Sequence, residues 1–211
     1  MSSPRTSQVQ PEQVLAFDAA WLERLGYYNG FKADPSYLDP VEHELEFRDR
    51  SQVEIDPALK HLATYAVLRC DGRIFTYRRT SGGGEGRLYG KRSIGVGGHV
   101  NPCDGDPSAT GMLSVFDTAA EREVAEEIRI HSAYSKSLIG YINDDSNDVG
   151  RVHFGVVYAF DLERPDVDFE RDDKHCDKLF ATPDQLLADI NSYESWSCIL
   201  IKRLAGGEPP R

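Results

Sequence analysis

The chain of 211 residues is 40% hydrophobic and 28% charged, which fits one globular domain with additions better than two full domains. Its 35 acidic and 24 basic residues give a net charge of -11, so the bulk surface repels nucleic-acid backbones and anionic lipid, and a protein that coats nucleic acid is excluded as a first reading. A small anionic ligand stays open, provided that basic side chains or bound cations are concentrated locally.

Residues 1–10 are polar and read as a frayed end without the apolar stretch of a signal peptide, and no window approaches the roughly 18 apolar residues that span a bilayer. Cys70, Cys103, Cys176 and Cys198 show neither paired nor zinc-finger spacing, so free thiols in a cytoplasmic protein are expected. Val14, Leu15, Phe17, Trp21, Leu22 and Leu25 recur with a spacing that predicts a helix over 12–25, stopped at Gly26. Residues 27–60 show no usable period. From His61 the pattern turns to strand, through Leu62, Tyr65, Val67 and Leu68, and Asp71-Gly72 predicts a tight hairpin into Ile74, Phe75 and Tyr77. A Gly-rich loop over 81–86 precedes a short strand-like run, 93–100. Residues 101–115 read as loop, a helix is expected over 117–130, and strands over 137–142 and 152–160. Helical patterns follow Pro183 and close the fold around Trp196, Ile199, Leu200 and Leu204. The order predicts an α+β fold of layered helices and strands, with a flexible tail over 206–211.

The most informative stretch is Arg122-Glu123-Val124-Ala125-Glu126-Glu127-Ile128. On a helix, Glu123, Glu126 and Glu127 share one face, while Ala120, Val124 and Ile128 form a separate apolar stripe. Such a carboxylate face repels itself unless a cation lies against it, and hard oxygen ligands suit Mg²⁺ or Mn²⁺. A merely solvated acidic face is the alternative.

Together with Gly97-Gly98-His99-Val100 and Asp104, this block resembles the signature of the Nudix hydrolases, G-x5-E-x7-R-E-U-x-E-E-x-G-U with U aliphatic, matched at Gly98, Arg122, Glu123, Val124, Glu126, Glu127 and Ile130. The chain departs from that pattern in three ways: Asp104 stands for Glu, Arg129 for Gly, and 17 residues instead of seven separate Asp104 from Arg122, an insertion of ten that reads as a loop over 105–114. The resemblance implies an α/β/α sandwich with a mixed sheet over 61–205, and residues 1–60 are left as an N-terminal helical extension. It also implies Mg²⁺ or Mn²⁺ held by Glu123, Glu126 and Glu127 with the Gly98 carbonyl as a further ligand, and Arg122 orienting the glutamates. Water attack at phosphorus of a nucleotide-derived or other organic diphosphate follows, with Glu123, or alternatively Glu127, accepting the water's proton. A homodimer is the family habit.

Six basic residues against one acidic fall between 73 and 92, just ahead of the Gly-Gly run. Of these, Arg79, Lys91 and Arg92 are candidates for phosphate contacts, because Arg forks match phosphate oxygens. His99 is a further candidate at the same run. A Walker-type loop is excluded, since Arg92 follows Gly90-Lys91 where Ser or Thr is required. His153 and Trp196 read as structural, and 171–177 as a polar loop. Two other readings of the same fold are a non-catalytic nucleotide sensor, disfavoured by the intact glutamate set, and chemistry of the isopentenyl-diphosphate isomerase kind, disfavoured because the sequence around Cys103 does not resemble the isomerase's.

Overall fold

In the computed structural model of the chain, residues 11–80, 88–170 and 175–206 are described; the Gly-rich loop, both ends and part of the polar loop at 171–177 fall outside them. The four apolar residues Val14, Leu15, Ala16 and Phe17 are all buried and lie in a strand, β1 (Gln13–Asp18). This corrects the helix expected over 12–25. Only Ala20–Leu25 is helical (α1), and it stops at Gly26 with φ 87°. A short continuous apolar run has no period that separates a buried strand from a buried helix. Here both faces of the strand are covered: Leu15 and Phe17 enter the main core, while Val14 and Ala16 pack with Val53.

After β2 (Gly30–Lys32) and a 3-10 turn at Asp39–Glu44 come β3 (Glu46–Asp49) and α2 (Arg50–Val53). β1 pairs antiparallel with β3 and with the start of β4 (Leu59–Cys70), so residues 13–49 contribute strands to the same sheet as the rest of the chain. The hairpin from β4 into β5 (Arg73–Arg79) turns at Asp71 and Gly72, with φ of 49° and 71°, the left-handed pair that a tight two-residue turn needs.

A two-residue strand β6 (Arg92–Ser93) follows, then the short helix α3 (Pro107–Thr110) and the long helix α4 (Met112–Glu127). The remaining elements are β7 (Ile128–Ile130), β8 (Tyr134–Asn143), α5 (Asp148–Val152), β9 (His153–Leu162), β10 (Val167–Phe169), β11 (His175–Ala181), α6 (Pro183–Ala188) and α7 (Ser195–Ala205). The main sheet runs β11-β5-β4-β9-β8-β2, with β4 and β9 parallel and the other pairs antiparallel.

Strand alternation sorts the two layers. Leu62, Ala66 and Leu68 of β4 and Phe154, Val156, Tyr158 and Phe160 of β9 pack on Val115, Phe116, Ala119 and Val124 of α4. Tyr65 and Val67, with Val157 and Ala159, face the other way onto Leu200 and Ile201 of α7. The result is the expected α/β/α sandwich around a mixed sheet.

Two expectations about the central helix are corrected. Gly105–Ser114 is not a plain loop extension: it contains α3 and the first turn of α4, which starts five residues ahead of the expected Asp117. At its other end α4 stops at Glu127, because Ile128, Arg129 and Ile130 extend into β7 and pair with β10. No glycine is needed there. Ile128 leaves the helix in an extended conformation, and exposed Arg129 meets Glu170 at 2.8 Å. No described helix is long and apolar enough to cross a membrane.

Candidate active site

The middle of β4 is met by Val96–Val100 as an antiparallel ladder: Ala66 donates to Val96 O at 2.7 Å, Thr64 to Gly98 O at 2.8 Å and Val100 to Leu62 O at 3.1 Å. This ladder brings Gly97 and Gly98 between β4 and α4. A Cβ on Gly97 would lie 2.0 Å from the backbone oxygen of Thr64, and one on Gly98 would lie 2.5 Å from Oε2 of Glu123. The two glycines thus have different jobs. One lets the strands close, and the other leaves room for a carboxylate.

Arg122 knits the face together. Its Nε and one terminal nitrogen donate to both oxygens of Asp104, at 2.6 and 2.9 Å, and that nitrogen also reaches the His99 carbonyl at 3.0 Å. The other terminal nitrogen donates to Glu123 at 2.7 Å and Glu126 at 3.2 Å. The Asp104 carboxyl is fully buried and also accepts the Asn101 N–H at 2.8 Å. The hydrogen bonds to Asp104 are the largest cause holding Arg122 in its charged form. Asp104, where the family pattern has Glu, is therefore the anchor of the arginine that orients the glutamates. Burial is the main cause that pushes the Glu123 carboxyl above its usual range, with Glu126 and Glu127 adding repulsion and Arg122 opposing both. A half-buried triplet of carboxylates that repel one another is a donor set that fits hard divalent cations.

Glu123, Glu126 and Glu127 line a cavity of about 580 Å³ together with Gly98, His99 and Arg122. Arg79, from the basic cluster, reaches the same cavity, with its guanidinium 5.6 Å from the centre of the Tyr77 ring. Lys91 and Arg92 do not line it. Lys91 is exposed and donates to the Asn191 carbonyl at 3.3 Å, while buried Arg92 donates to the Asp177 carbonyl at 3.0 Å and lies 5.9 Å from the centre of the Tyr193 ring. Both bonds tie the 175–195 region to β6, outside the cavity in which phosphate contact was expected of them. The Gly98 carbonyl accepts the ladder bond from the Thr64 N–H at 2.8 Å and a longer one from the Thr64 hydroxyl at 3.4 Å.

The cavity also has walls that the sequence pattern did not disclose. Trp196, expected in the core, is half-buried and lines the cavity, with its indole edge-on to Tyr65 at 5.6 Å. Arg50 and Glu12, from the N-terminal segment, line it too and pair with each other at 2.9 Å. Trp196 reads as core because its neighbours Leu200 and Ile201 are core residues; only the fold shows that it sits at the open end of that face.

With its central helix packing an Arg-Glu-x-x-Glu-Glu face against a Gly-Gly strand, the chain has a Nudix-type fold. It is 33% identical over 182 residues to protein YmaB of Bacillus subtilis (strain 168), spanning 82% of this chain and 87% of that one. Its fold is similar to that of Tm1382, described as a candidate Nudix hydrolase, with a TM-score of 0.75 and 24% identity over 92% of this chain and 99% of that one. DR0079 from Deinococcus radiodurans shares it with a TM-score of 0.55 and 20% identity over 77% of this chain and 94% of that one. No family model matches the chain.

Proposed function

We propose that the protein is a divalent-metal-dependent hydrolase that cleaves a diphosphate linkage in a nucleoside diphosphate derivative or related organic diphosphate, by water attack at phosphorus. The observation that carries this reading is the carboxylate face of α4: Arg122 holds Glu123 and Glu126, and these two with Glu127 line a cavity that also receives Arg79. Glu123, Glu126 and Glu127 are the residues that would hold Mg²⁺ or Mn²⁺, with the Gly98 carbonyl as a further ligand in exchange for its long bond from the Thr64 hydroxyl. When bound, such a cation neutralises the diphosphate and acidifies water.

The chain's own groups do the rest. Arg122 fixes one oxygen of Glu123 and so orients the other for work as the proton acceptor, with Glu127 as the alternative. Arg79 supplies a fork-shaped donor for a phosphate oxygen. The exposed part of Trp196 offers an aromatic face for a nucleobase, which favours a nucleoside-bearing substrate over a bare polyphosphate.

The test is a panel of nucleoside diphosphate derivatives and other organic diphosphates with Mg²⁺ or Mn²⁺, for wild type and Glu126→Gln. Glu126 has a half-exposed side chain and no part in the core, so its variant keeps the fold. The wild type should turn over at least one member, and the variant should lose the rate by orders of magnitude. Unimpaired turnover in the variant, or after removal of all divalent metal, refutes the reading. Nucleotide binding without turnover across the panel points instead to a sensor.

A further inference from the structure

Three histidines that no local motif connects meet beside this cavity. His61 lies on β4, His153 is its register partner on β9, and His99 belongs to the ladder on the opposite edge of β4, where it bridges to Ala63. One ring nitrogen from each lies within 4.8 Å of the other two, and Nε2 of His99 is 3.4 Å from Nε2 of His153. Nδ1 of His153 is 2.7 Å from the Val149 carbonyl, to which it donates, and this leaves Nε2 as the nitrogen with a lone pair. His61 is fully buried, and neither of its nitrogens has a hydrogen-bond partner among the described residues. Buried polar atoms in that state call for an explanation.

We propose that His61, His99 and His153 form a metal site of their own, which takes a borderline transition ion of the Zn²⁺ type and is separate from the carboxylate face of α4. Imidazole nitrogen suits such ions, whereas the hard cations suited to Glu123, Glu126 and Glu127 prefer oxygen. In a tetrahedral site with metal–nitrogen bonds of about 2.0–2.1 Å, two ligand nitrogens stand roughly 3.3–3.4 Å apart. The Nε2 pair of His99 and His153 already has that separation. Three protein ligands leave a fourth position open, and since His99 and His153 line the cavity, that position faces it.

Nearby charges do not forbid a cation. Lys60 is engaged by Asp145 at 2.6 Å, and Arg50 by Glu12 at 2.9 Å and Glu54 at 2.7 Å.

The experiment uses the full chain, stripped with chelator, kept reduced, loaded with Zn²⁺ in excess Mg²⁺ and desalted, with metal per chain measured by mass spectrometry. Co²⁺ loading followed by its visible spectrum reads the geometry. Wild type, Glu126→Gln and Cys103→Ser should each retain one Zn²⁺ per chain. His99→Ala and His153→Gln, shown to be folded by circular dichroism, should bind it at least about 100-fold more weakly and lose the intense tetrahedral Co²⁺ bands. His99 is half-exposed, so its variant decides the matter even where His153→Gln fails to fold. Absence of retained Zn²⁺ in the wild type, undiminished retention in folded His99→Ala, or loss of Zn²⁺ in Glu126→Gln or Cys103→Ser overturns the proposal. None of these outcomes bears on the Mg²⁺-dependent hydrolase reading, whose test is turnover in Glu126→Gln.

Discussion

Asp104→Asn removes one charge and almost no volume from the centre of the site. Its carboxyl is fully buried and takes two hydrogen bonds from Arg122, whose side chain is 24% exposed, and one from the Asn101 N–H. Breaking a buried ion pair costs about 3–5 kcal/mol. Arg122 can turn partly toward water, and the amide oxygen of Asn still accepts one bond, so we expect about 2–3 kcal/mol. With an unfolding entropy near 2.1 cal/mol/K per residue, that corresponds to a fall in Tm of roughly 5–7 °C. The same change frees the arginine that fixes Glu123 and Glu126, and kcat should fall roughly 100-fold, as small displacements of reacting groups do. Thermal and urea unfolding of Asp104→Asn, Arg122→Gln and the double variant measure the pair directly, and the cycle should return a coupling of about 2 kcal/mol. A coupling under about 0.5 kcal/mol, or a Tm within 1 °C of wild type (roughly 0.4 kcal/mol on the same scale), would sink the anchoring role of Asp104.

Asp104→Glu restores the family's residue yet should destabilise by about 1–3 kcal/mol, since an added methylene has no room at a fully buried site; equal or higher Tm in this variant contradicts the packing. Gly98→Ala should stay folded but lose most activity and divalent-metal affinity, because its Cβ displaces only the end of Glu123, whereas Gly97→Ala should fail to fold stably against the Thr64 backbone; circular dichroism and metal titration of the two variants tell these effects apart. Glu123→Gln should raise the Tm of the metal-free protein at neutral pH. The Glu123 pKa is raised on folding, so the contribution it makes when protonated is lost as pH rises through the folded value, and the neutral amide retains it. A Tm–pH profile of the metal-free variant that coincides with wild type, from the usual glutamate range to neutrality, speaks against this. Trp196→Ala should raise KM for nucleoside-bearing diphosphates by about tenfold with little change in kcat, which steady-state kinetics on the active substrate can refute.

What was legible in the sequence had its cause within a few residues. The β4–β5 hairpin follows from Asp71-Gly72, since few other pairs reach two positive φ values, and the carboxylate face follows from the helical spacing of Glu123, Glu126 and Glu127. β1 was not legible because Val14 to Phe17 are buried by partners from β3, β4 and the Val100 segment, none of them near in sequence. β11 escaped for another reason: a register irregularity between Cys176 and Leu179, with Asp177 at φ 54°, breaks the alternation that would announce a strand. The basic run was half legible. Its local charge was evident, but pairing of β6 with β5 sends Arg92 to Tyr193 and the Asp177 carbonyl, so adjacency in sequence did not become adjacency in the cavity. His61, His99 and His153 come from three neighbouring strand segments and leave no spacing to recognise.

The two parts of the chain that match the family pattern least, the segment before residue 60 and the insertion ahead of Arg122, pack on each other. The insertion lengthens α4 at its N-terminus, and the first N–H of that helix, on Met112, donates to Oε1 of Glu42 at 2.7 Å. Glu42 belongs to the 3-10 turn Asp39–Glu44, whose buried Val41 shares the core with Met112 and Val115. A carboxylate at a helix N-terminus satisfies an otherwise orphaned donor and favours the dipole. Gly111, at φ 84°, makes the sharp entry that puts Met112 there. The added helical turns thus need the N-terminal segment as cover, and the segment gains a helix end to dock on. With that end held, Asp104 can close back over 18 positions onto Arg122 while the register of Glu123, Glu126 and Glu127 stays intact. The departures from the pattern therefore compensate one another, and the carboxylate face is what they jointly preserve.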